Sequence, residues 1–211
     1  MQSNTTCGAE SIAQPSLSIK HVPLAAVASL VEEKPLAPHE NLNPNDLQRK
    51  TKALLDEYFN VRLLDEALLC VEELKSQSYH PEVVKEAISI ALDKSSPCVE
   101  PVSKLLEHML IKKLFTPRDI GTGCLLYDAL LDDVSIDLPK APNNFGEIIG
   151  RLVLAGGLDF KQVKEILKKM EDDMYQKAMF DAAMRIVSSN PSGQGLLDSS
   201  AFEVEACRSL F

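Results

Sequence analysis

The sequence contains no tryptophan, and aromatic residues make up only 5% of its 211 positions. A core with so few aromatic rings has to be built mainly from Leu, Ile, Val and Ala side chains. No apolar run approaches the ~18 residues that a membrane-spanning helix needs, and residues 1–6 lack the charged and apolar regions of a secretory signal. We therefore expect a soluble protein of the cytoplasm that does not contact membranes.

Cysteine pairs and catalytic motifs are lacking as well. The five cysteines are scattered singly along the chain, as is typical of reduced thiols in the cytosol. The four histidines form no His-x-x-x-His pair, and no Gly-x-Ser-x-Gly elbow or phosphate-binding loop occurs. The sequence thus predicts a protein that is not an enzyme and that binds neither a metal nor a cofactor. A hydrolase that uses Asp132, Asp133 and Asp137 as acid and base is the alternative.

Basic residues are few relative to acidic ones. The chain has 22 Lys and Arg against 31 Asp and Glu, which gives a formal net charge of −9. This balance argues against a nucleic-acid surface over the whole chain and favours a cationic protein partner. It does not exclude a local basic patch, because Lys161, Lys164, Lys168 and Lys169 form either a solvated helix face or a weak RNA contact.

What the chain does contain is a series of amphipathic helical patterns. Between residues 46 and 190, apolar residues recur at the i, i+3, i+4, i+7 spacing of a helix face in about eight segments. Helix starts are marked too: Thr116, Pro117 and Asp119 supply a capping threonine, a proline at the first helical position and an acid at the third. Convincing strand patterns are missing. The sequence therefore predicts an all-α array of helix hairpins or an irregular bundle.

The two ends of the chain differ in composition from its middle. Residues 1–45 carry five prolines and little periodicity, so we predict a disordered proline-rich linker there. Its apolar run Val22–Val31 is a candidate docking peptide. We predict the ordered domain at residues 46–190, able to fold without the linker, and a flexible C-terminal tail with one short turn at residues 191–211.

One acidic segment, residues 131–142, interrupts the helical patterns. Polar and apolar residues alternate between Asp133 and Leu138. An extended segment would expose the polar row and bury the apolar one, which consists of Val134, Ile136 and Leu138. If the preceding helix instead continues for a turn, Asp133 and Asp137 are still neighbours, because residues i and i+4 share a helix face. Either geometry presents the two carboxylates together.

The position of these acids suggests that they meet a cation. Asp128, Asp132 and Asp133 lie near the expected end of a helix, where the macrodipole disfavours a carboxylate by roughly 0.3–1 kcal/mol. A cation from another molecule would relieve that cost. The alternative is that these residues are solubilising surface acids, as most exposed charges are.

Three pieces of the sequence resemble the MA-3 domain. They are the run Lys50–Phe59, the helix start Asp65-Glu66-Ala67, and the pattern Asp133-x-x-x-Asp137-x-Pro139-x-Ala141-Pro142. This domain occurs in initiation factor 4G scaffolds and in the programmed-cell-death translational inhibitor. The resemblance covers roughly residues 46–190. The chain as a whole is most similar to the plant iso-4G type of scaffold, of which it would be the C-terminal part.

The resemblance implies a HEAT-like fold of stacked antiparallel helix pairs. It also implies a partner, the DEAD-box RNA helicase initiation factor 4A, together with other initiation-complex proteins and, through the full scaffold, RNA. In the inhibitor, helicase contacts come from two acids four residues apart just before a proline, and these positions are Asp133 and Asp137 here. Further partner-binding candidates in the same turn are Asp132, Ser135, Pro139 and Pro142.

The function implied by the resemblance is that of a non-catalytic adaptor domain in cap-dependent translation initiation, which binds the helicase. Two alternatives stay open, an RNA-binding helical module and a translation-inhibiting adaptor. Salt dependence separates RNA binding from protein binding, because phosphate contacts weaken steeply as salt rises.

Overall fold

The computed structural model describes residues 43–211, and these residues form eleven α-helices and one 3-10 helix, Gln77–Tyr79, without a strand. In chain order the α-helices are α1 (Pro44–Val61), α2 (Leu64–Glu73), α3 (His80–Asp93), α4 (Val99–Ile111), α5 (Pro117–Asp128), α6 (Leu131–Asp137), α7 (Ala141–Leu154), α8 (Phe160–Leu167), α9 (Asp173–Ser189), α10 (Gly193–Ser199) and α11 (Ala201–Arg208). The predicted linker, apart from its last residues, and the candidate docking peptide Val22–Val31 lie outside the described residues.

Side chains that cap the helices explain several of these boundaries. The Asn43 side chain accepts a hydrogen bond from the Asp46 backbone N–H at 2.9 Å and so starts α1. At α5 the predicted start is confirmed: Thr116 and Asp119 form a reciprocal capping box around Pro117. A second capping box, which Asp159 forms with the glutamine at the third helical position, starts α8.

The helices pack on one another as a layered array. Helix α1 contacts α2 and α3, α3 contacts α4 and α5, α4 contacts α7, and α7 contacts α9. One continuous hydrophobic cluster runs through these layers from Leu47 to Cys207. The predicted all-α fold of stacked antiparallel helix pairs is confirmed. Among residues 43–211, no helix is both long and apolar enough to cross a membrane.

The contact between α7 and α9 depends on two glycines of α7. A Cβ atom built on Gly150 would lie 2.7 Å from the Ala183 carbonyl oxygen, and one built on Gly146 would overlap the Met179 carbonyl oxygen. Real Cβ atoms do not approach that closely. The absence of a side chain at these two positions therefore sets the short distance between the helices.

The C-terminal residues differ from the flexible tail that the sequence predicted. They form α10 and α11, and α11 packs on α8. Val204 and Cys207 are buried, and the Cys207 thiol lies 3.4 Å from the Phe160 carbonyl oxygen. The ring of Phe211 packs against Phe180 at a centroid distance of 5.7 Å. Each helix is too short to show a strong periodic pattern, and packing on α8 and α9 supplies the stability that local propensity lacks.

Candidate functional site

The acidic segment contains helix α6, so the helical alternative is the observed one. Asp133 and Asp137 are both exposed. Residues four apart on a helix have Cβ atoms about 5–6 Å apart, whereas in an extended strand the two would be about 13 Å apart. The two carboxylates therefore lie close enough to meet the same cationic group of a partner.

The helical period changes which neighbours are buried. The alternating pattern placed Ile136 in the core and Ser135 outside, and this was wrong: Ile136 is 75% exposed and Ser135 only 2%. Burial of Ser135 leaves no unsatisfied hydroxyl, because the hydroxyl donates a hydrogen bond to the Leu131 carbonyl oxygen at 2.6 Å. At 100° per residue, Ile136 lies on the same exposed side as Asp133. The outer face of α6 is thus two carboxylates beside one isoleucine.

The charge environment of the acids also differs from the expectation. Asp132 and Asp133 lie in the first turn of α6, not at the end of the preceding helix, so the dipole stabilises both carboxylates. Asp128, the last residue of α5, has the unfavourable location at a helix end that the sequence suggested, and Asp137, the last residue of α6, has one as well. Asp132 has an internal role as well, because its Oδ2 accepts a hydrogen bond from the Glu171 backbone N–H at 3.2 Å. This bond ties α6 to the connection between α8 and α9.

The other sequence candidates divide by exposure. Pro139 is exposed in the turn after α6, whereas Pro142 is buried near the start of α7 and Ser135 is buried within α6. Neither of the two buried residues is available for direct contact with a partner. The sequence reasoning missed Ile136 and Leu130, which is 41% exposed. Helical spacing around Asp133 was the signal that would have placed Ile136 on the acidic face.

Asp128, which the sequence grouped with the acids of the α6 segment, is buried and not on the surface. Its residue is 2% exposed, and neither carboxylate oxygen has a hydrogen-bond partner within the described part of the chain. Burial, and after it the nearby Asp132, raises the pKa of Asp128, whereas Lys169 lowers it, and the net result is a pKa of about 7. This carboxyl group underlies the junction of α5 and α6 and titrates near neutral pH.

The candidate basic patch on α8 is partly neutralised by the chain itself. Lys168 forms an ion pair with Glu165 at 2.8 Å, and Lys169 interacts with buried Asp128. Two of the four lysines are therefore partly neutralised, which makes the patch a weaker cationic face for RNA. Within residues 43–211, no three His, Cys, Asp or Glu side chains are arranged to hold a metal ion.

The orientation of α6 leads to a stability prediction. Ile136→Asp should leave the free energy of unfolding nearly unchanged because the side chain is exposed. Val134→Asp should lower it by about 1–3 kcal/mol, because Val134 is half-buried against the core and a carboxylate there loses hydration. Urea denaturation of the two variants beside the parent measures both values. Equal destabilisation by the two changes would contradict the orientation of α6.

Comparisons with known proteins agree with this architecture. The MA3 domain family matches residues 47–159, a range that includes most of α1, all of α2 to α7 and thus the acidic face of α6. MA3 domain-containing translation regulatory factor 3 of Arabidopsis thaliana is 33% identical over 114 residues, which cover 54% of this chain and 16% of that protein. Factor 1 of the same group is 30% identical over 159 residues, 75% of this chain and 22% of that protein.

A second group of similar proteins carries the name of a translation initiation factor. Eukaryotic translation initiation factor 4 gamma 3 of Homo sapiens is 25% identical over 122 residues, which cover 58% of this chain and 8% of that protein. This chain thus spans less than a quarter of the length of each relative described here. The match to more than half of the chain shows its family: the chain belongs to the MA3 domain family.

Proposed function

We propose that this chain is a non-catalytic interaction domain of a translation initiation scaffold, and that the exposed face of α6 binds the DEAD-box RNA helicase initiation factor 4A during cap-dependent initiation in the cytoplasm. The observation that carries the proposal is the presentation of Asp133 and Asp137 one helical turn apart on an exposed face, beside Ile136. Paired carboxylates complement Arg or Lys side chains, and the isoleucine adds apolar contact area.

Membership of the MA3 family and similarity to initiation factor 4 gamma proteins support a place in an initiation assembly. Within that assembly we assign the chain to the C-terminal part of a scaffold of the iso-4G type. There it would contact other initiation proteins, with RNA reached through the full scaffold. The net charge of −9 favours a cationic protein surface as the direct partner.

The test is the affinity of the chain for initiation factor 4A at physiological salt. Asp133→Ala combined with Asp137→Ala should weaken binding by tenfold to a hundredfold, or about 1.4–2.8 kcal/mol, because two charge-assisted contacts are lost at an exposed interface. Both residues are exposed, so the variant should stay folded. Isothermal titration calorimetry gives the affinities, and circular dichroism checks the fold.

A matched control removes the same charge elsewhere. Glu72 of α2 and Glu107 of α4 are also exposed, and changing both to Ala should leave the affinity within about twofold if binding depends on α6 and not on net charge. The assignment of α6 fails if the Asp133 and Asp137 variant binds the helicase as tightly as the parent. Binding of single-stranded RNA with a steep salt dependence, without helicase binding, would favour the RNA-binding alternative.

A second candidate function uses the same surface. The identities of 30–33% to Arabidopsis thaliana translation regulatory factors favour an adaptor that regulates translation by occupying the helicase. A scaffold domain and an inhibitory adaptor differ in outcome, not in contact. Added to a cap-dependent translation extract, an inhibitory adaptor lowers protein synthesis in proportion to helicase occupancy, and the Asp133 and Asp137 variant does not.

A further inference from the structure

The first two helices enclose an apolar groove that lies apart from α6. We call it the α1–α2 groove. Its volume is about 400 Å³. The residues that line it are Leu54, Glu57, Tyr58, Val61, Leu63, Glu66, Ala67, Leu69, Cys70 and Glu73. No residue of the acidic segment is among them, so the groove is a separate surface from the proposed helicase site.

The floor and walls of the groove follow from the helical period. On α1 the lining positions 54, 57, 58 and 61 are spaced i, i+3, i+4, i+7, so they form one stripe about 10 Å long at 1.5 Å per residue. Buried Leu54, Tyr58 and Ala67 form its floor. Its walls hold large apolar side chains in water: Val61 is 52% exposed and Leu69 is 57% exposed. Apolar side chains exposed together at one groove indicate a contact surface.

The sharp joint between α1 and α2 shapes one end of the groove. Arg62 adopts a left-handed backbone conformation with φ of 66°, and its N–H donates to the Tyr58 carbonyl oxygen at 2.7 Å, which ends α1. Its guanidinium lies 5.3 Å from the centre of the Phe59 ring and donates a hydrogen bond to the Cys98 Sγ at 3.2 Å. Although Arg62 follows Val61 directly, it is not one of the lining residues.

The rim of the groove is negative. Glu57, Glu66 and Glu73 are exposed lining residues, and none of the lining residues is Lys or Arg. Their charge reaches the interior: burial, followed by the three glutamates, raises the pKa of the Cys70 thiol. An occupant of this groove has to supply apolar side chains for the walls and positive charges for the rim.

We propose that the α1–α2 groove binds an amphipathic helix of a partner protein whose apolar stripe is flanked by Lys or Arg residues. A stripe of two turns matches the i, i+3, i+4, i+7 anchors of helix-in-groove recognition. The chain's own apolar run, Val22–Val31, is a poorer fit in charge. Among residues 20–34, Lys20 and Lys34 are balanced by Glu32 and Glu33, so that segment offers the rim no net positive charge.

The test uses the full chain and two fluorescent 15-residue helical peptides with the same leucine stripe, one flanked by lysines and the other by glutamates. Fluorescence anisotropy should show at least tenfold tighter binding of the lysine peptide. Glu57→Gln, Glu66→Gln and Glu73→Gln combined should remove most of that preference and its salt dependence. Leu69→Ser should weaken binding of the lysine peptide by at least fivefold. Equal binding of the two peptides, or no binding of the lysine peptide, overturns the proposal.

Two controls locate the binding. The Asp133→Ala and Asp137→Ala variant should keep the affinity for the lysine peptide, and the groove variants should keep the affinity for initiation factor 4A. The proposal for the groove and the proposal for α6 are therefore tested independently. Bound lysine peptide should slow maleimide labelling of Cys70, read by mass spectrometry. If Cys70 of the free chain is already protected and Leu24→Asp with Leu30→Asp exposes it, the chain's own segment is the occupant and a partner helix is ruled out.

Discussion

Gly146→Ala is expected to lower the free energy of unfolding by about 3 kcal/mol, at the upper end of what overpacking a core produces. The added Cβ would overlap the Met179 carbonyl oxygen and lie 2.9 Å from the Ala182 Cβ. The carbonyl oxygen belongs to the backbone of α9, and the Ala182 Cβ is bonded directly to that backbone. Neither atom can rotate away as the end of a flexible side chain would. The two helices therefore have to separate, and other contacts along their interface are lost. Urea denaturation of the full chain measures the effect.

Gly195→Ala is the matched control, because Gly195 also lies in a helix but a Cβ there meets no atom within 4 Å. Alanine should be neutral or stabilising by up to about 1 kcal/mol at that position, since it restricts the unfolded chain and favours the helix. If both substitutions gave the same change, the close approach of α7 and α9 would not be the reason for the glycine at 146.

Asp128→Asn should stabilise the protein above neutral pH, by an amount on the order of 2–4 kcal/mol. The folded pKa of Asp128 is about 7, against a value of 3.8 for an unperturbed aspartate. Between these values the folded chain holds a proton that the unfolded chain has released. The free energy of unfolding of the parent should therefore fall as the pH rises from about 4 to about 7, and remain lower at higher pH. The asparagine variant lacks this contribution.

The measurement is the difference in urea stability between parent and variant at pH 5, 6, 7 and 8. His80 adds a slope of the opposite sign, because burial lowers its pKa and its stabilising contribution is lost as the pH falls. Since both proteins contain His80, the difference between them isolates Asp128. A difference that is constant with pH, or that favours the parent at pH 8, would contradict a buried carboxyl group that titrates near pH 7.

The long helices were predictable from sequence because the apolar stripe, the N-terminal capping residues and the residues that end the helix all indicate the same boundaries. The start of α5 is an example, since Thr116, Pro117 and Asp119 each favour the same boundary. The pairing of Asp133 with Asp137 was predictable for another reason. Both a strand and a helix place these two residues on the same face, although at different distances. The start of α5 was predictable because several local signals agree, and the shared face of the two acids was predictable because it does not depend on the type of secondary structure.

The misjudged features depend on contacts distant in sequence. A seven-residue segment that alternates polar and apolar residues fits a strand as well as a helix, so packing on α7 decides whether Ile136 or Ser135 is buried. The helices after Asn190 form because they find α8 and α9 to pack on. The burial of Asp128 likewise depends on surroundings that include Lys169, which local periodicity does not reveal.

The hydrogen bond from the Glu171 N–H to Asp132 joins residues 39 positions apart, and it has a consequence for the proposed binding role of α6. A helix of seven residues is well below the ~12–15 that an isolated helix needs to persist in water. The helical conformation of α6 therefore depends on tertiary contacts with the rest of the folded chain. A synthetic peptide of residues 131–142 contains every acid of the motif but not the folded surface, so the proposed binding site would be a conformational epitope. Related sequences share it to the extent that they keep the distant anchor as well as the acids.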